Sequence, residues 1–328
     1  ENIVTFSVCR RLCGVISVGL MLIASALSVP ASAAESQQCK TVRFGVVDWT
    51  DVQVTTAIAQ VLLDRLGYNT EVSDRSVPDV YAGLADSSLD VFLGNWMPTM
   101  TDIVQPYEEK GQVKTVTKNL ESALYTLAVP DYVYEAGVRS FADIAEHKDK
   151  FGGRIYGIEK GNDGNMLIIQ MIENNAFGLQ DFEILETSER LMLAQVKGKI
   201  RRGEWIVFLA WKPHPMNETY SIRYLAGGDD YFGPDYGAST VYTNTRAGLA
   251  ADCPNVSKLL NNLMFTLQME GAIMDQVMNG FVPPDRAARD WMFNNPDQVS
   301  EWLQGVTDAE GNPVNPGALA QSMELKFE

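Results

Sequence analysis

Three short apolar runs in this chain each end on a tryptophan, and that pattern constrains the fold more than any other. Residues 207–217 read VFLAWKPHPMN. Val207, Phe208, Leu209 and Ala210 have the length and character of a buried strand. Trp211 follows where the strand runs out, and Pro213 and Pro215 bar a helix and hold the chain extended. Residues 90–98, DVFLGNWMP, repeat the plan around Trp96, and residues 44–51, FGVVDWTD, repeat it around Trp49. Ligands of open α/β sheets bind just outside the carboxyl ends of the strands. Three strand-end indoles therefore point to one aromatic pocket. Taken singly, each reads equally well as a core residue; the pocket accounts for all three.

The stretches between these runs set the fold class. Residues 42–47 read as a strand. Asp51 suits a helix N-cap. Val54, Ile58, Val61, Leu62 and Leu66 mark one face of a helix that stops at Gly67. Strands over 69–72 and 89–93 flank a short helix over 79–85. This β-α-β-α-β order predicts a mainly parallel sheet covered by helices, an α/β fold. A second unit follows, with strands at 124–129, 154–158, 182–185 and 205–210. Its helices fall at 141–146, 165–175 and 189–198. Residues 227–237 form a Gly-, Asp- and Tyr-rich loop, and 239–243 a further strand. Helices are expected at 256–269, 271–279 and 284–294. The stretch from Asp308, with Gly311, Pro313, Pro316 and Gly317, reads as loosely held.

The amino terminus bears on the cysteines. Arg10 and Arg11, an apolar run over 12–27 and Ala31-Ser32-Ala33 have the layout of a secretory signal peptide, expected over residues 1–34. Cys13 lies at the very start of the apolar run and not at the cleavage site, which argues against a lipid anchor. No later run reaches the length of a membrane span. Export leaves Cys39 and Cys253, an even pair in an oxidising compartment. A disulfide between them is expected, two free buried thiols being the other reading. Such a bond returns the last third of the chain to the first unit. Residues 35–123 and 237–328 then form one lobe, 124–236 form an inserted second lobe, and a cleft lies between.

Charge narrows the ligand. The formal net charge is −16, and without residues 1–34 it becomes −17, from 24 Lys and Arg against 41 Asp and Glu. That disfavours nucleic acid and anionic membranes and suits a cationic ligand, although most such charges serve solubility. Trp49, Trp96, Trp211 and Tyr125 can form an aromatic cage, whose natural target is a quaternary ammonium. That cation has no N–H to donate, and its diffuse charge is cheap to desolvate. Trp205 lies six residues before Trp211, about 20 Å along a strand, and is a poor cage member. Trp291 and Trp302 fall in the helical tail and read as packing residues. Asp51 can also accept from a ligand hydroxyl. Asn162 and Asp163 sit in the GNDG of residues 161–164, where Asn162 suits a neutral polar group and Asp163 opposes an anion.

Catalytic signals are thin. The two histidines, His147 and His214, stand alone, with no zinc-protease, nucleophile-elbow, phosphate-loop or dinucleotide motif. No metal and no cofactor is expected.

The motifs VDWTD, VFLGNWMPTM, YTLAVPDYV, EKGNDGN, FLAWKPHPMN and GGDDYFGP resemble the substrate-binding proteins of ABC importers for quaternary ammonium osmolytes, most closely the choline-binding ones. The resemblance covers about residues 39–303. It implies a two-lobed type II periplasmic binding protein, not an enzyme. It implies a cage of Trp49, Trp96, Tyr125 and Trp211, with Asp51 and Asn162 on the choline hydroxyl. It also implies the Cys39–Cys253 bond, a periplasmic location, a monomer, and an ABC permease in the inner membrane as partner. Acetylcholine and betaines remain as ligands. A betaine carboxylate wants an Arg or an unobstructed helix start, which Asp51 and Asp163 do not offer. An exported choline esterase lacks a recognisable nucleophile and base. A periplasmic sensor subunit would carry the same site.

Overall fold

The computed structural model describes residues 34–324. The leader expected over residues 1–34 thus lies, Ala34 apart, outside the described residues. Among the described residues no helix is long and apolar enough to cross a membrane.

Strands β1 (Thr41–Val46), β2 (Asn69–Asp74) and β3 (Val91–Met97) are linked by α1 (Thr50–Arg65) and α2 (Val77–Ala85). Gly67, at φ +89°, turns the chain out of α1. Ser76 caps α2 by accepting from the Asp79 N–H at 3.3 Å. Strand β4 (Val113–Pro130) is long, at 18 residues. Beyond it come β5 (Arg154–Tyr156), α3 (Asp163–Glu173), β6 (Glu183–Leu185), α4 (Glu189–Arg202), β7 (Phe208–Lys212), β8 (Ile222–Tyr224) and β9 (Ala238–Arg246).

These nine strands form one sheet in the order β2-β1-β3-β9-β4-β7-β5-β6, with β8 on β4. Both outer wings are parallel: β2-β1-β3 on one side and β7-β5-β6 on the other. Between them run β9 and β4, antiparallel to each other and to the strands they meet. β2 is an edge strand and carries Glu71 and Asp74, charges that discourage pairing with another chain. Strand β3 is buried along its length through Trp96, as an interior strand requires.

Two strand ends differ from expectation. Trp96 and Trp211 are the second-last residues of β3 and β7, not beyond them. Trp205 precedes β7 and packs against His147 and Phe151 with Lys150 over its face, at 5.2, 5.4 and 4.1 Å.

Cys39 and Cys253 are bonded, 214 residues apart in sequence, with their Cα atoms 5.5 Å apart. The bond joins the start of β1 to α5 (Pro254–Asn262). Glu35 reinforces it. Its carboxylate accepts the Asn255 N–H, the Val256 N–H at 3.1 Å and the Tyr68 hydroxyl at 3.1 Å. An acidic group there also complements the dipole of α5.

The carboxyl-terminal stretch is not loose. Helices α6 (Leu267–Met278), α7 (Pro284–Asn294), α8 (Pro296–Trp302) and α9 (Pro316–Gln321) pack against one another and α1. Trp302 is fully buried, lies 5.9 Å from both Phe265 and Trp291, and donates its N–H to the Met264 carbonyl. Ala309, Ala320 and Met323 are buried too. The Gly and Pro residues shape turns between buried anchors rather than marking a free end.

Candidate binding site

The sheet delivers its aromatic residues to one place. In the β4–β7 pair Tyr125 stands directly opposite Trp211, and their ring centroids are 6.3 Å apart at 86°. Trp96, from β3, meets Tyr125 at 5.9 Å and 62°. Rings set at such angles form adjacent walls of a box. Trp49, at the position just before α1, completes the set. These four residues, with Asp51, Ile158, Asn162 and Asp163, line a cavity with about 250 Å³ of free space. All six residues singled out in the sequence, Trp49, Asp51, Trp96, Tyr125, Asn162 and Trp211, are therefore together and at most 5% exposed.

Each ring is fixed from behind. Nε1 of Trp96 donates to Oδ2 of Asp51 at 3.1 Å, and Nε1 of Trp49 donates to Oε1 of Glu159 at 2.8 Å. The Tyr125 hydroxyl donates to Oδ1 of Asn162 at 2.9 Å. Carboxylate acceptors on the N–H edges hold the indoles in orientation and enrich their faces, which favours a cation in front. Among the described residues Nε1 of Trp211 has no hydrogen-bond partner; its ring packs edge-on against His214 at 4.8 Å.

Asp51 is not the cap of α1. It sits inside the first turn, and Trp49 occupies the cap position without a side-chain capping bond. The N–H of Thr50 goes instead to Oε2 of Glu189, 139 residues further on, at 2.9 Å. Asn162 does cap α3: its Oδ1 accepts the Asn165 N–H at 3.0 Å while also accepting from Tyr125. Its amide N–H₂ donates to Oδ1 of Asp163 at 3.0 Å and keeps one hydrogen for a further acceptor. Among the described residues Oδ2 of Asp163 meets no donor at hydrogen-bond geometry. Gly164 leaves room for this arrangement, since a Cβ there would lie 2.2 Å from the Tyr125 hydroxyl.

The electrostatics are one-sided. Among the described residues no lysine or arginine lines the cavity. Burial, together with the charge of Glu189, pushes the Asp51 carboxyl up to about 7. Burial likewise raises Glu159 to about 7 and Asp163 to about 6. Glu270, on α6 and near Asp51, is held well above the usual carboxylate range, by burial first and by Asp51 second. Buried carboxyls without cationic partners are costly when ionised, and a cation in the cavity relieves that cost. Asp163, Glu159, Glu189 and Glu270 were not read from the sequence as parts of a cation site. Asp163 and Glu159 stand beside Asn162 in EKGNDGN, which was signal enough; Glu189 and Glu270 have no local signature.

A family model for the substrate-binding domain of ABC-type glycine betaine transport systems matches residues 40–294. The chain belongs to this family. An ABC-transporter choline-binding protein, solved in complex with choline, is 50% identical and superposes with a TM-score of 0.86, over 88% of this chain and 99% of its own. An unliganded, semi-closed form of an ABC-transporter choline-binding protein gives 50% identity and a TM-score of 0.81, over 88% of this chain and all of its own. An uncharacterised protein of Chromohalobacter salexigens, ORF1, is 54% identical over 147 residues, 45% of this chain and 93% of its own. The fold of the family is the two-lobed type II binding-protein clamshell, with ligand held in the cleft. Its members are substrate-binding proteins of transport systems rather than enzymes.

Proposed function

We propose that this protein captures choline in the periplasm and hands it to the permease of an ABC importer. The observation that carries this reading is a cavity walled by three indoles and a phenol, backed by carboxyls and lined by no cationic side chain. Trp49, Trp96, Tyr125 and Trp211 take the trimethylammonium head. Each desolvated ring contributes on the order of 0.5–2 kcal/mol, so four rings at the upper end of that range support binding of about micromolar strength in a preorganised site. The hydroxyl meets Asp51 and the spare N–H of Asn162, with the unpaired Oδ2 of Asp163 close at hand.

The lobes are residues 35–123 with 237–328, and residues 124–236. Their junctions pair with each other: Ala123 lies opposite Ser239 and Leu124 opposite Ala238 in the β4–β9 ladder. The two crossing strands thus run side by side where the hinge belongs. The protein acts as a monomer.

The family name also favours a second ligand, glycine betaine. The site opposes it: a betaine carboxylate would face Asp51 and Asp163 with no arginine in the lining. Calorimetric titration with choline, acetylcholine, glycine betaine and proline betaine tests the reading. Choline should bind tightest. Glycine betaine binding as tightly as choline would overturn the choline assignment while leaving the cage intact.

A further inference from the structure

The first turn of α1 is held by the opposite half of the molecule. The N–H of Thr50 donates to Oε2 of Glu189 at 2.9 Å, and the Thr50 hydroxyl donates to Oε1 at 2.7 Å. One residue earlier, Nε1 of Trp49 donates to Oε1 of Glu159 at 2.8 Å. The donors are consecutive residues at one helix start. The acceptors come from the second parallel wing, Glu159 after β5 and Glu189 opening α4.

This helix start has no cap of its own. The first N–H groups of a helix find no partner within it, and Trp49 at the cap position supplies none. Glu189 fills that role across the cleft, and an acidic group there also suits the helix dipole. Separation of the lobes would return Thr50 and both carboxylates to water and leave α1 uncapped.

Each contact also reaches a cage ring. Glu159 grips Trp49 directly. Glu189 acts through His214: Nε2 of His214 lies 3.1 Å from Oε1 of Glu189, and its Nδ1 accepts the Met216 N–H at 2.9 Å. The proton therefore sits on Nε2, facing Glu189. The same imidazole abuts the Trp211 ring.

We propose that Glu159 and Glu189 are a closing latch. They bind the start of α1 only in the closed form, and they slow release of the captured cation by tying lobe closure to the position of two cage rings. Both residues are positioning residues; neither lines the cavity. The inference rests on the two-lobed cation-binding reading above.

The test is a double-mutant cycle on the dissociation rate of choline, with Thr50→Val and Glu189→Gln alone and combined, and with Glu159→Gln as a second site. Thr50→Val removes the hydroxyl donor of a residue that does not itself line the cavity, leaves the Thr50 N–H on Glu189, and keeps the side chain's shape. Each single variant should speed release about 5- to 20-fold and change the association rate less than twofold. The combined variant should be no faster than the worse single one, because both weaken the same Thr50–Glu189 contact. Far-ultraviolet circular dichroism and the denaturation midpoint establish that each variant is folded. Wild-type release rates in folded variants, or effects that multiply independently, would overturn the latch. Small-angle scattering of the ligand-free proteins separates this from the ligand assignment. If wild type fails to bind choline, the assignment falls, and the latch is then judged on shape alone. Expansion of the Glu159→Gln, Glu189→Gln double variant relative to wild type supports it, and an unchanged radius of gyration overturns it.

Discussion

Replacing Asp51 with Asn separates the charge of this side chain from its shape, and the structure sets opposite expectations for stability and binding. Asp51 is 4% exposed, and burial raises its carboxyl from 3.8 to about 7. The proton is thus held more tightly in the folded chain than in the unfolded one. Below about pH 4 both states are protonated and the group contributes no difference. As pH rises through the window up to about 7, ionisation costs the ligand-free fold stability. The shift of about 3 units is on the order of 4 kcal/mol by pH 8. Ligand-free Asp51→Asn should therefore be more stable than wild type at pH 8 by a few kcal/mol, with the gain vanishing towards pH 4. Binding should move the other way. A cation favours the ionised carboxyl, so choline and a proton compete. Wild-type affinity should rise from pH 5.5 to 8 and level off above the Asp51 transition. For a separation on the order of 5 Å and an effective dielectric of about 20, the attraction is ~3 kcal/mol. The Asn variant should thus bind about 100-fold more weakly at pH 8 and differ little at pH 5.5. Glu159 and Asp163 titrate in the same range, so the variant keeps a smaller slope, and the difference between the two profiles is the measured quantity. Urea denaturation and calorimetry across pH 5–8 supply both numbers. A ligand-free variant less stable than wild type at pH 8, or two proteins with the same pH profile of affinity, would refute the reasoning.

Three further outcomes follow from other parts of the structure. Replacing Cys39 and Cys253 with Ser should destabilise the protein by about 5 kcal/mol on the chain-entropy model for so long a loop, read from denaturation midpoints under oxidising conditions. Gly164→Ala places a methyl 2.2 Å from the Tyr125 hydroxyl; displacing that ring should weaken choline binding at least tenfold in calorimetry while the fold persists. Trp302→Ala should cost about 3–5 kcal/mol of stability, yet leave the affinity of the folded fraction unchanged, since the ring packs on Phe265 and Trp291, neither of which lines the cavity.

Much of the site was legible because its signals are local. An apolar strand running into Trp211 before two prolines states both a buried strand and an aromatic end, and Trp49 and Trp96 repeat the statement. Export and cysteine parity pointed to the Cys39–Cys253 bond. The rest depends on partners distant in sequence. Asp51 has the chemistry of a cap, but the cap of α1 comes from Glu189, and no window of sequence contains both. The first half of β4 was invisible for a different reason. Residues 113–119 are mostly polar and half exposed, VKTVTKN, and become a strand through pairing with β9. The carboxyl-terminal stretch misled through its glycines and prolines. Its anchors, Ala309, Ala320 and Met323, are too widely spaced to show a period.

The central claim is that rings recognise the charge of the ligand and not merely its shape. The most direct measurement is the affinity for 3,3-dimethylbutan-1-ol, the neutral analogue of choline in which carbon replaces the ammonium nitrogen, beside that for choline at pH 8. Four cation–ring contacts and the facing carboxyls predict that the neutral alcohol binds at least 100-fold more weakly, a loss of about 3 kcal/mol or more. Equal affinity for the two would mean that the cavity selects only a bulky apolar head with a hydroxyl, and the aromatic cage would lose its role as a cation site.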